Sequence, residues 1–468
     1  TYGYHKTGQW QAWDFNHDAP SVRDNAASDR RAWVYRAQVA FLYRFLPPTE
    51  TTVRLVSVLW GIVTTGLLYG VGVHMTKRRW VGLFAAFLWA VSVPAIEINR
   101  TVRMYSMFAP VFLLFWWSTF QFFEARKDKI NNISAVFRFN WWYVVPMLLL
   151  GALAYHLHPL AGMMALVVCV YFCVMMIVSR KTPVKRYHVY VALCVLGGAS
   201  VWLFAPSVWW QVMGMFVFFD NHWHYVGHVL RHFWHPLMGG AVIVCGAYAA
   251  VQRGARQKAG VWLVVTFMTI VASAIFLWNR NVGPQYIFFV QPFGLLLCAI
   301  GVDWCARWVS ARVQTKNAFL WTVGAFMIFL PFYGYFFLEN TTYHITSSGD
   351  QAHYRKVFDY VRRNATAGDA MITRNFRNYY WHGLDMPVYD FGTERSAQAI
   401  QKEGKIQKVT VAHIENIVSK HPHGWIVFSD NDTVFITKEA RAYCDAHFTE
   451  VTDSPLVRGK VHVYRWGI

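Results

Sequence analysis

Long apolar stretches alternate with short polar ones along the first three quarters of the chain. A helix needs about 20 apolar residues to cross a hydrocarbon core of about 30 Å, and ten stretches come near that length. They lie at about residues 55–75, 80–98, 104–123, 141–156, 160–178, 187–209, 236–252, 260–278, 284–304 and 318–338. Because the apolar residues follow one another without alternation, the pattern predicts membrane-spanning helices and not a transmembrane β-barrel.

The pattern changes after residue 338. Helix-like segments such as HYRKVFDYVRRN then alternate with short strand-like ones such as DAMIT, GWIVFSD and VHVYRW, as is typical of a small α/β domain. We therefore predict a polytopic α-helical membrane protein with three regions. They are an amphipathic loop at 1–53, the membrane helices at 54–338, and an α/β domain at 339–468.

Composition and charge add a topology. Hydrophobic residues make up 55% of the 468 residues and charged residues only 15%, which is more apolar than a typical soluble domain. The loops near 76–79, 124–140, 179–186, 252–259 and 303–317 hold 17 Lys and Arg, and those near 99–103, 156–159, 210–235 and 279–283 hold 4. Cytoplasmic loops carry the basic excess, so the second set, the first 53 residues and the C-terminal domain are predicted outside. The net charge of +19 is thereby explained, and it indicates no nucleic-acid partner.

The chain begins with Thr1, on the outer side in this topology. A chain that starts outside must be carried there, so we expect either an upstream helix or a removed signal segment. One upstream helix would place the N-terminus of the full protein in the cytoplasm. It would also raise the number of spans from ten to eleven.

The outer loops avoid lysine but contain arginines close to the predicted membrane boundary. These are Arg100, Arg103, Arg231 and Arg280. The planar guanidinium offers parallel donors to a phosphate, so lipid phosphates or diphosphates are the expected ligands. For Arg100 and Arg103 an alternative stays open: they reach lipid headgroups, or Arg100 pairs with Glu97 three residues earlier.

Histidines mark two further outer segments. YHLHP places His156 and His158 at a helix end, where they bind phosphate or metal or are satisfied by water. In DNHWHYVGHVLRHFWH, His224, His228 and His232 lie on one helical face, and the last two have the spacing to share zinc. The alternative is an interfacial amphipathic helix, so a divalent metal is left open.

WNRNVGPQYIFF places Arg280 and Tyr286 around a Gly-Pro turn at a helix mouth. The two residues are candidates for phosphate binding. An ordinary interfacial aromatic belt is the alternative.

Several segments together resemble the GT-C superfamily of membrane glycosyltransferases. PAIEINRTVRMYSMF is similar to the external loop of the branch with protein O-mannosyltransferases and the bacterial aminoarabinose transferase of lipid A, in which an Arg-x-Tyr motif opens the next helix. The helical hairpin with the basic turn TKRR, the YHLHP segment and RNVGPQYIFFVQPFGLLL follow in the family's order. The resemblance covers about residues 30–310 and extends loosely to a C-terminal external domain.

The resemblance implies transfer of a sugar from a polyprenyl-phosphate donor to a glycan, lipid or protein acceptor at the outer face, with inversion. Cations and hydroxyl donors would stabilise the leaving lipid phosphate. The candidates for this role are Arg103, Tyr105, Arg280 and Tyr286, with His156, His158 and Arg100 as further phosphate ligands. The expected location is the bacterial inner membrane, with possible membrane-protein partners and with the active site on the extracytoplasmic side.

The catalytic base is where the sequence departs from the family. Relatives carry an acidic residue, often an Asp-Glu pair, early in the first external loop, and residues 1–53 hold no such pair. The base is therefore expected just upstream of Thr1 or, within this chain, at Asp14 or Asp18, with Glu97 behind them.

Two other functions remain open on sequence grounds. The absent acidic pair allows a non-catalytic GT-C-like scaffold subunit. A transporter of lipid-linked substrates would place charges at the membrane midplane, and the apolar stretches here are nearly free of them.

Overall fold

The structure, a computed structural model, divides into two compact units, Arg31–Phe337 and a second unit of Thr1–Arg30 with Leu338–Ile468. Each unit is described by itself. The structure describes residues 1–11, 13–14, 18–20, 32–124, 139–178, 186–214, 222–252, 256–278, 283–315, 317–334, 354–373, 379, 382–389, 409–429, 436–451 and 461–467.

The first unit contains fifteen α-helices, counted within the described residues. They are α2 Trp33–Leu42, α3 Glu50–Thr76, α4 Arg79–Val91, α5 Val93–Asn99, α6 Tyr105–Glu124, α7 Val144–Leu157, α8 Met163–Val178, α9 Arg186–Phe204, α10 Pro206–Met213, α11 His224–Leu230, α12 Pro236–Val251, α13 Gln257–Phe276, α14 Pro284–Ile287, α15 Gln291–Val313 and α16 Ala318–Phe329. Short 3₁₀ turns precede α7, α8 and α15 at Trp141–Tyr143, Pro159–Gly162 and Phe288–Val290.

A helix lies at each of the ten predicted apolar stretches. In the described part of the chain, six helices are long and apolar enough to cross a membrane by length and composition, and the bent pair α4 and α5 makes up to seven. Three shorter apolar helices, Trp141–Leu157, Pro236–Val251 and Ala318–Phe329, coincide with three further stretches. The number of ten spans therefore stays a prediction.

Sequence signals explain where the first long helix begins and ends. The hydroxyl of Thr49 accepts a hydrogen bond from the Thr52 amide at the N-terminus of α3, and Glu50 places a negative charge in the first turn. The helix ends where Lys77 adopts a left-handed conformation, with φ of 56°, and donates its amide to Val73. The basic turn predicted between the first two spans therefore closes an α-helical hairpin.

Small residues bring helices into close contact. A Cβ atom on Gly246 of α12 would lie 1.8 Å from the carbonyl oxygen of Leu297 on α15, and one on Gly301 would lie 2.1 Å from that of Val242. Only glycine permits the two backbones to approach this closely, as is common between membrane helices.

Aromatic side chains fill the interior of the helical unit. Trp116 of α6 stacks on Trp262 of α13 at 6.1 Å between ring centroids, and its indole nitrogen donates to the hydroxyl of Thr266 at 2.7 Å. Phe293 of α15 packs on the same indole at 5.0 Å. These contacts join three helices that are far apart in the sequence.

The second unit consists of α1 Tyr2–Thr7, α17 Tyr354–Asn364, α18 Val411–Val418, α19 Lys438–His447 and seven strands, within the residues described. The strands are β1 Trp13–Asp14, β2 Ala19–Pro20, β3 Ala370–Thr373, β4 Val388–Tyr389, β5 Gly424–Ser429, β6 Thr449–Glu450 and β7 Val461–Trp466. β1 and β2 form an antiparallel pair, and the other five form a sheet of order β4-β3-β5-β7-β6.

The five-stranded sheet is mixed. β4, β3 and β5 are parallel, whereas β7 is antiparallel to both β5 and β6. Successive side chains of β3 point to opposite faces, so Ile372 packs in one core with Ile414 of α18 and Cys444 of α19. Met371 packs in the other core with Phe358 of α17. Helices thus cover both faces of the sheet.

Candidate functional site

A bend of 62° separates α4 from α5. Ser92 lies at the bend, and its hydroxyl accepts a hydrogen bond from the Ala95 amide at 3.1 Å, which caps the new helix. Pro94 occupies the first turn of α5, where its missing amide proton costs nothing. The stretch predicted as one span at 80–98 therefore changes direction before it reaches Arg100.

The turn between α5 and α6 contains Arg103, and its backbone is held on both sides. The hydroxyl of Ser57 on α3 donates to the Thr101 carbonyl at 2.7 Å and is itself hydrogen-bonded to the Tyr35 hydroxyl at 2.6 Å. The hydroxyl of Ser106 donates to the carbonyl of Arg103 at 3.1 Å. The side chain of Arg103 is exposed on this fixed backbone.

Three of the predicted site residues meet at the beginning of α6. The ring of Tyr105 lies 5.6 Å from that of His158 and 6.2 Å from that of Tyr286, and the last two rings are 6.1 Å apart. Phe108, one turn along α6, packs on His158 at 5.6 Å. Tyr105 and His158 are buried, and Tyr286 is half-buried. We refer to Tyr105, His158 and Tyr286 as the ring cluster.

The hydrogen bond of His158 defines which ring nitrogen carries a proton. Its Nδ1 accepts from the amide of Leu160 at 3.2 Å, so the neutral imidazole carries its proton on Nε2. By its chemistry the ring cluster thus contains three groups that can donate a hydrogen bond, this N–H and two phenolic hydroxyls. An anion is the ligand that such a set suits best.

The remaining predicted phosphate ligands occupy different places. Arg100 is the half-buried residue that ends α5, and its amide donates to Ile96 at 3.0 Å. His156 packs edge-on against Trp33 of α2 at 5.8 Å. Arg280 lies outside the described residues.

An ion pair that the sequence did not predict lies beside α5. One guanidinium nitrogen of Arg231 is 3.1 and 3.3 Å from the two carboxylate oxygens of Glu97. The side chains are 19% and 12% exposed, so solvent screens the pair only partly. Both oxygens of Glu97 therefore face the same cation.

The histidines next to Arg231 are buried and neutral. Burial, followed by the charge of Arg231, lowers the pKa of His228 to about 4 and that of His232 to about 3. Nδ1 of His232 is 2.5 Å from the hydroxyl of Ser92. Among the described residues no three His, Cys, Asp or Glu side chains group as metal ligands.

The two candidate bases lie in the second unit. Asp14 belongs to β1, opposite Ala19 of β2. Asp18 lies in the turn between these strands with φ of 44°, is 74% exposed at its side chain, and is 3.7 Å from the ammonium of Lys6. A highly exposed ion pair of this length contributes little, so the structure describes Asp18 as a solvated carboxylate.

No family model and no curated protein sequence matches the chain. Solved structures do match over almost its whole length. ArnT from Cupriavidus metallidurans in the apo state superimposes with a TM-score of 0.52 at 13% identity, over 99% of this chain and 91% of ArnT. The chain therefore shares the fold of ArnT.

The archaeal oligosaccharyltransferase AglB from Archaeoglobus fulgidus shows the same likeness, with a TM-score of 0.52 at 9% identity over 98% of this chain and 68% of AglB. That AglB structure holds an inhibitory peptide and a dolichol-phosphate. ArnT bound to undecaprenyl phosphate matches with a TM-score of 0.51, also at 13% identity and over 99% of this chain and 91% of ArnT. The apolar helices, in a fold shared with these structures, support a multi-pass integral membrane protein.

Proposed function

We propose that the protein is a membrane glycosyltransferase that moves a sugar from a polyprenyl-phosphate donor to the hydroxyl group of a glycan, lipid or protein acceptor. The fold supports this proposal, because two proteins that share it have been solved with undecaprenyl phosphate and with a dolichol-phosphate. The observation that carries it for this chain is the ring cluster, which gathers three donors from separate segments next to the turn of Arg103.

The ring cluster and Arg103 would act on the leaving group. As the bond between the anomeric carbon and the phosphate oxygen breaks, negative charge grows on the lipid phosphate. In this proposal the guanidinium, two phenolic hydroxyls and the imidazole N–H stabilise this charge. In the proposal Arg280, Arg100 and His156 are further phosphate ligands from the same predicted outer face.

A carboxylate would complete the reaction by deprotonating the acceptor hydroxyl. The acceptor oxygen, its proton passed to the carboxylate, attacks the anomeric carbon on the face opposite the phosphate as the lipid phosphate leaves, so the anomeric configuration is inverted. Asp14 is our first candidate, because Asp18 is solvated beside Lys6 and Glu97 is held by Arg231.

We place the active site and the C-terminal α/β domain outside the bacterial inner membrane. The basic loops support this orientation. A single cysteine at position 100, in a variant free of other cysteines, should react with an impermeant maleimide added to intact spheroplasts. If the cysteine were labelled only after lysis, position 100 would face the cytoplasm and the proposed orientation would be wrong.

The function is tested by reconstitution. Purified protein in nanodiscs should release polyprenyl phosphate from at least one of a panel of polyprenyl-phosphate sugars when a cell-envelope extract supplies acceptors. Lipid and glycan mass spectrometry of a deletion strain should show the matching product missing. Donor binding without transfer, together with an unchanged glycan profile, would favour the scaffold function instead.

A further inference from the structure

Two consecutive residues contact α5 near its two ends. His232 binds the hydroxyl of Ser92, which caps the N-terminus of the helix, at 2.5 Å. Arg231 binds the carboxylate of Glu97, in the last turn, at 3.1 Å. We refer to Arg231 and His232 as the α5 clasp.

A helix as short as α5 depends on such outside contacts. It has seven residues, and a helix of this length is unstable by itself because few of its amides find partners inside it. The bend at Ser92 also interrupts the backbone hydrogen bonds that would otherwise continue α4 into α5. The direction of α5 is therefore determined by what it packs against.

The segment that carries the clasp is fixed independently of α5. The amide of Trp234 donates to Leu330 at 3.0 Å, and the carbonyl of His232 accepts from Phe332 at 2.9 Å. Phe233 packs so closely on Gly239 of α12 that a Cβ there would lie 2.1 Å from its ring. The clasp thus connects α5 to the beginning of α12 and to the chain that follows α16.

α5 itself, with the turn that follows it, also rests on α3. A Cβ on Gly61 would lie 2.5 Å from the side-chain nitrogen of Asn99, the last residue of α5. Ser57, one turn earlier, holds the carbonyl of Thr101. Because both α3 and the clasp contact this part of the chain, the backbone leading to Arg103 has a defined position.

We propose that Arg231 and His232 are positioning residues for the donor phosphate. They hold α5 so that the following turn presents Arg103 and Tyr105 to the lipid phosphate, which neither clasp residue touches. This inference rests on the proposed function. It adds to that function a separate element, contributed from a loop 134 residues away in the sequence.

The charge half of the clasp is tested with Arg231→Gln and the exchange Glu97→Arg/Arg231→Glu. A guanidinium moved out of reach of the phosphate loses a charge-assisted hydrogen bond to it, so Arg231→Gln should raise the donor KM by about 10- to 100-fold. The acceptor KM should stay within about twofold, because the clasp does not contact the acceptor. In the exchanged pair the donor KM should return most of the way to the wild-type value.

The histidine half is tested with a matched pair of variants. Asparagine at position 232 places an amide near the position of Nδ1 and can keep the bond to Ser92, whereas glutamine places it near Nε2 and cannot. His232→Asn should therefore keep a donor KM near that of the wild type, and His232→Gln should raise it.

The control for the charge experiment is Glu50→Gln, which removes the Glu50–Arg54 ion pair at 3.4 Å on α3.

Binding of undecaprenyl phosphate, measured by native mass spectrometry, gives a readout that does not need turnover. Weaker binding by Arg231→Gln, restored in the exchanged pair, supports the inference. Unchanged donor KM and binding in a folded Arg231→Gln variant overturn it, as do equal rises in donor and acceptor KM. A wild-type protein that neither binds undecaprenyl phosphate nor transfers any sugar would overturn the proposed function and this inference together.

Discussion

The ring of Tyr105 stands almost perpendicular to that of Tyr286, at 89° and with 6.2 Å between centroids. Such an edge-to-face contact stabilises the arrangement of the two rings. Tyr105 begins α6 and Tyr286 lies on α14, so the contact joins two of the segments on which the sequence resemblance was based.

Removing either hydroxyl should impair catalysis without loosening the fold. In Tyr105→Phe and Tyr286→Phe the ring contact is kept and one donor to the developing phosphate charge is lost. We expect kcat to fall by about 100-fold in each variant, with little change in thermal stability. Tyr155→Phe, which alters an exposed tyrosine on α7, is the control. Full activity in both ring-cluster variants would contradict the role given to these hydroxyls.

Arg103 should matter for the donor and not for membrane insertion. Arg103→Ala removes an exposed cation from the α5–α6 turn, and we expect a higher donor KM with normal expression and melting temperature. Lysine should restore only part of the effect, because it lacks the bidentate geometry of the guanidinium. Arg54→Ala, at the beginning of α3, serves as the control. If Arg103→Ala had the donor KM of the wild type, the alternative would hold that Arg103 only contacts lipid headgroups.

Replacing the proposed base should stop transfer while donor binding persists. General-base catalysis contributes about 100-fold or more, so we expect Asp14→Asn to lower kcat by at least that factor. Asp18→Asn tests the second candidate under the same conditions. Transfer rates and undecaprenyl phosphate binding are measured in parallel. Normal transfer by a correctly inserted Asp14→Asn protein would eliminate Asp14.

The sheet of the C-terminal domain should be sensitive to acid through Asp369. Burial alone would raise the pKa of Asp369, but hydrogen bonds from the amide and hydroxyl of Thr366 and from the indole of Trp425, with the charge of Arg465, lower it overall. The hydrogen bonds are 3.0, 2.8 and 2.9 Å long. A lowered folded-state pKa stabilises the fold above about pH 4. That stability is lost as the pH falls through the folded-state pKa.

Hydrogen–deuterium exchange of the full-length protein checks this prediction. Amides of β3 and β5 should exchange faster as the pH drops below about 4, after correction for the intrinsic pH dependence of exchange. In Asp369→Asn the free energy of unfolding should already be lower at neutral pH, by about 1–3 kcal/mol. The reason is that an amide nitrogen cannot accept hydrogen bonds from the donors that face it. Equal protection of these amides from exchange in the variant and the wild type would disprove the stabilising role given to Asp369.

Local sequence patterns predicted much of the fold and part of the site. Uninterrupted apolarity located a helix at every predicted stretch, because membrane-length apolar runs have few other solutions. His158 and Tyr286 were candidates from their positions at helix ends and Tyr105 from the resemblance, and the structure brings the three together. Their mutual distances could not be obtained from the sequence.

Other features depend on contacts between distant segments. Glu97 and Arg231 are 134 residues apart, and the nearby Arg100 was the obvious partner in the sequence. The bend at Ser92 was missed because the apolar run continues through it, although Ser-Val-Pro there has the form of a helix start. The order of the five sheet strands likewise depends on pairing that no single segment specifies.

The bend has a consequence for the depth of the site in the membrane. With 13 residues, α4 is about 20 Å long at 1.5 Å per residue, roughly 10 Å less than the hydrocarbon core. Because α5 leaves at 62°, its seven residues add only about 5 Å along the same axis. Either the bilayer thins around this hairpin or the turn with Arg103 lies slightly below the headgroups. A lipid phosphate would then be drawn inward, to a place where fewer water molecules compete for its charge.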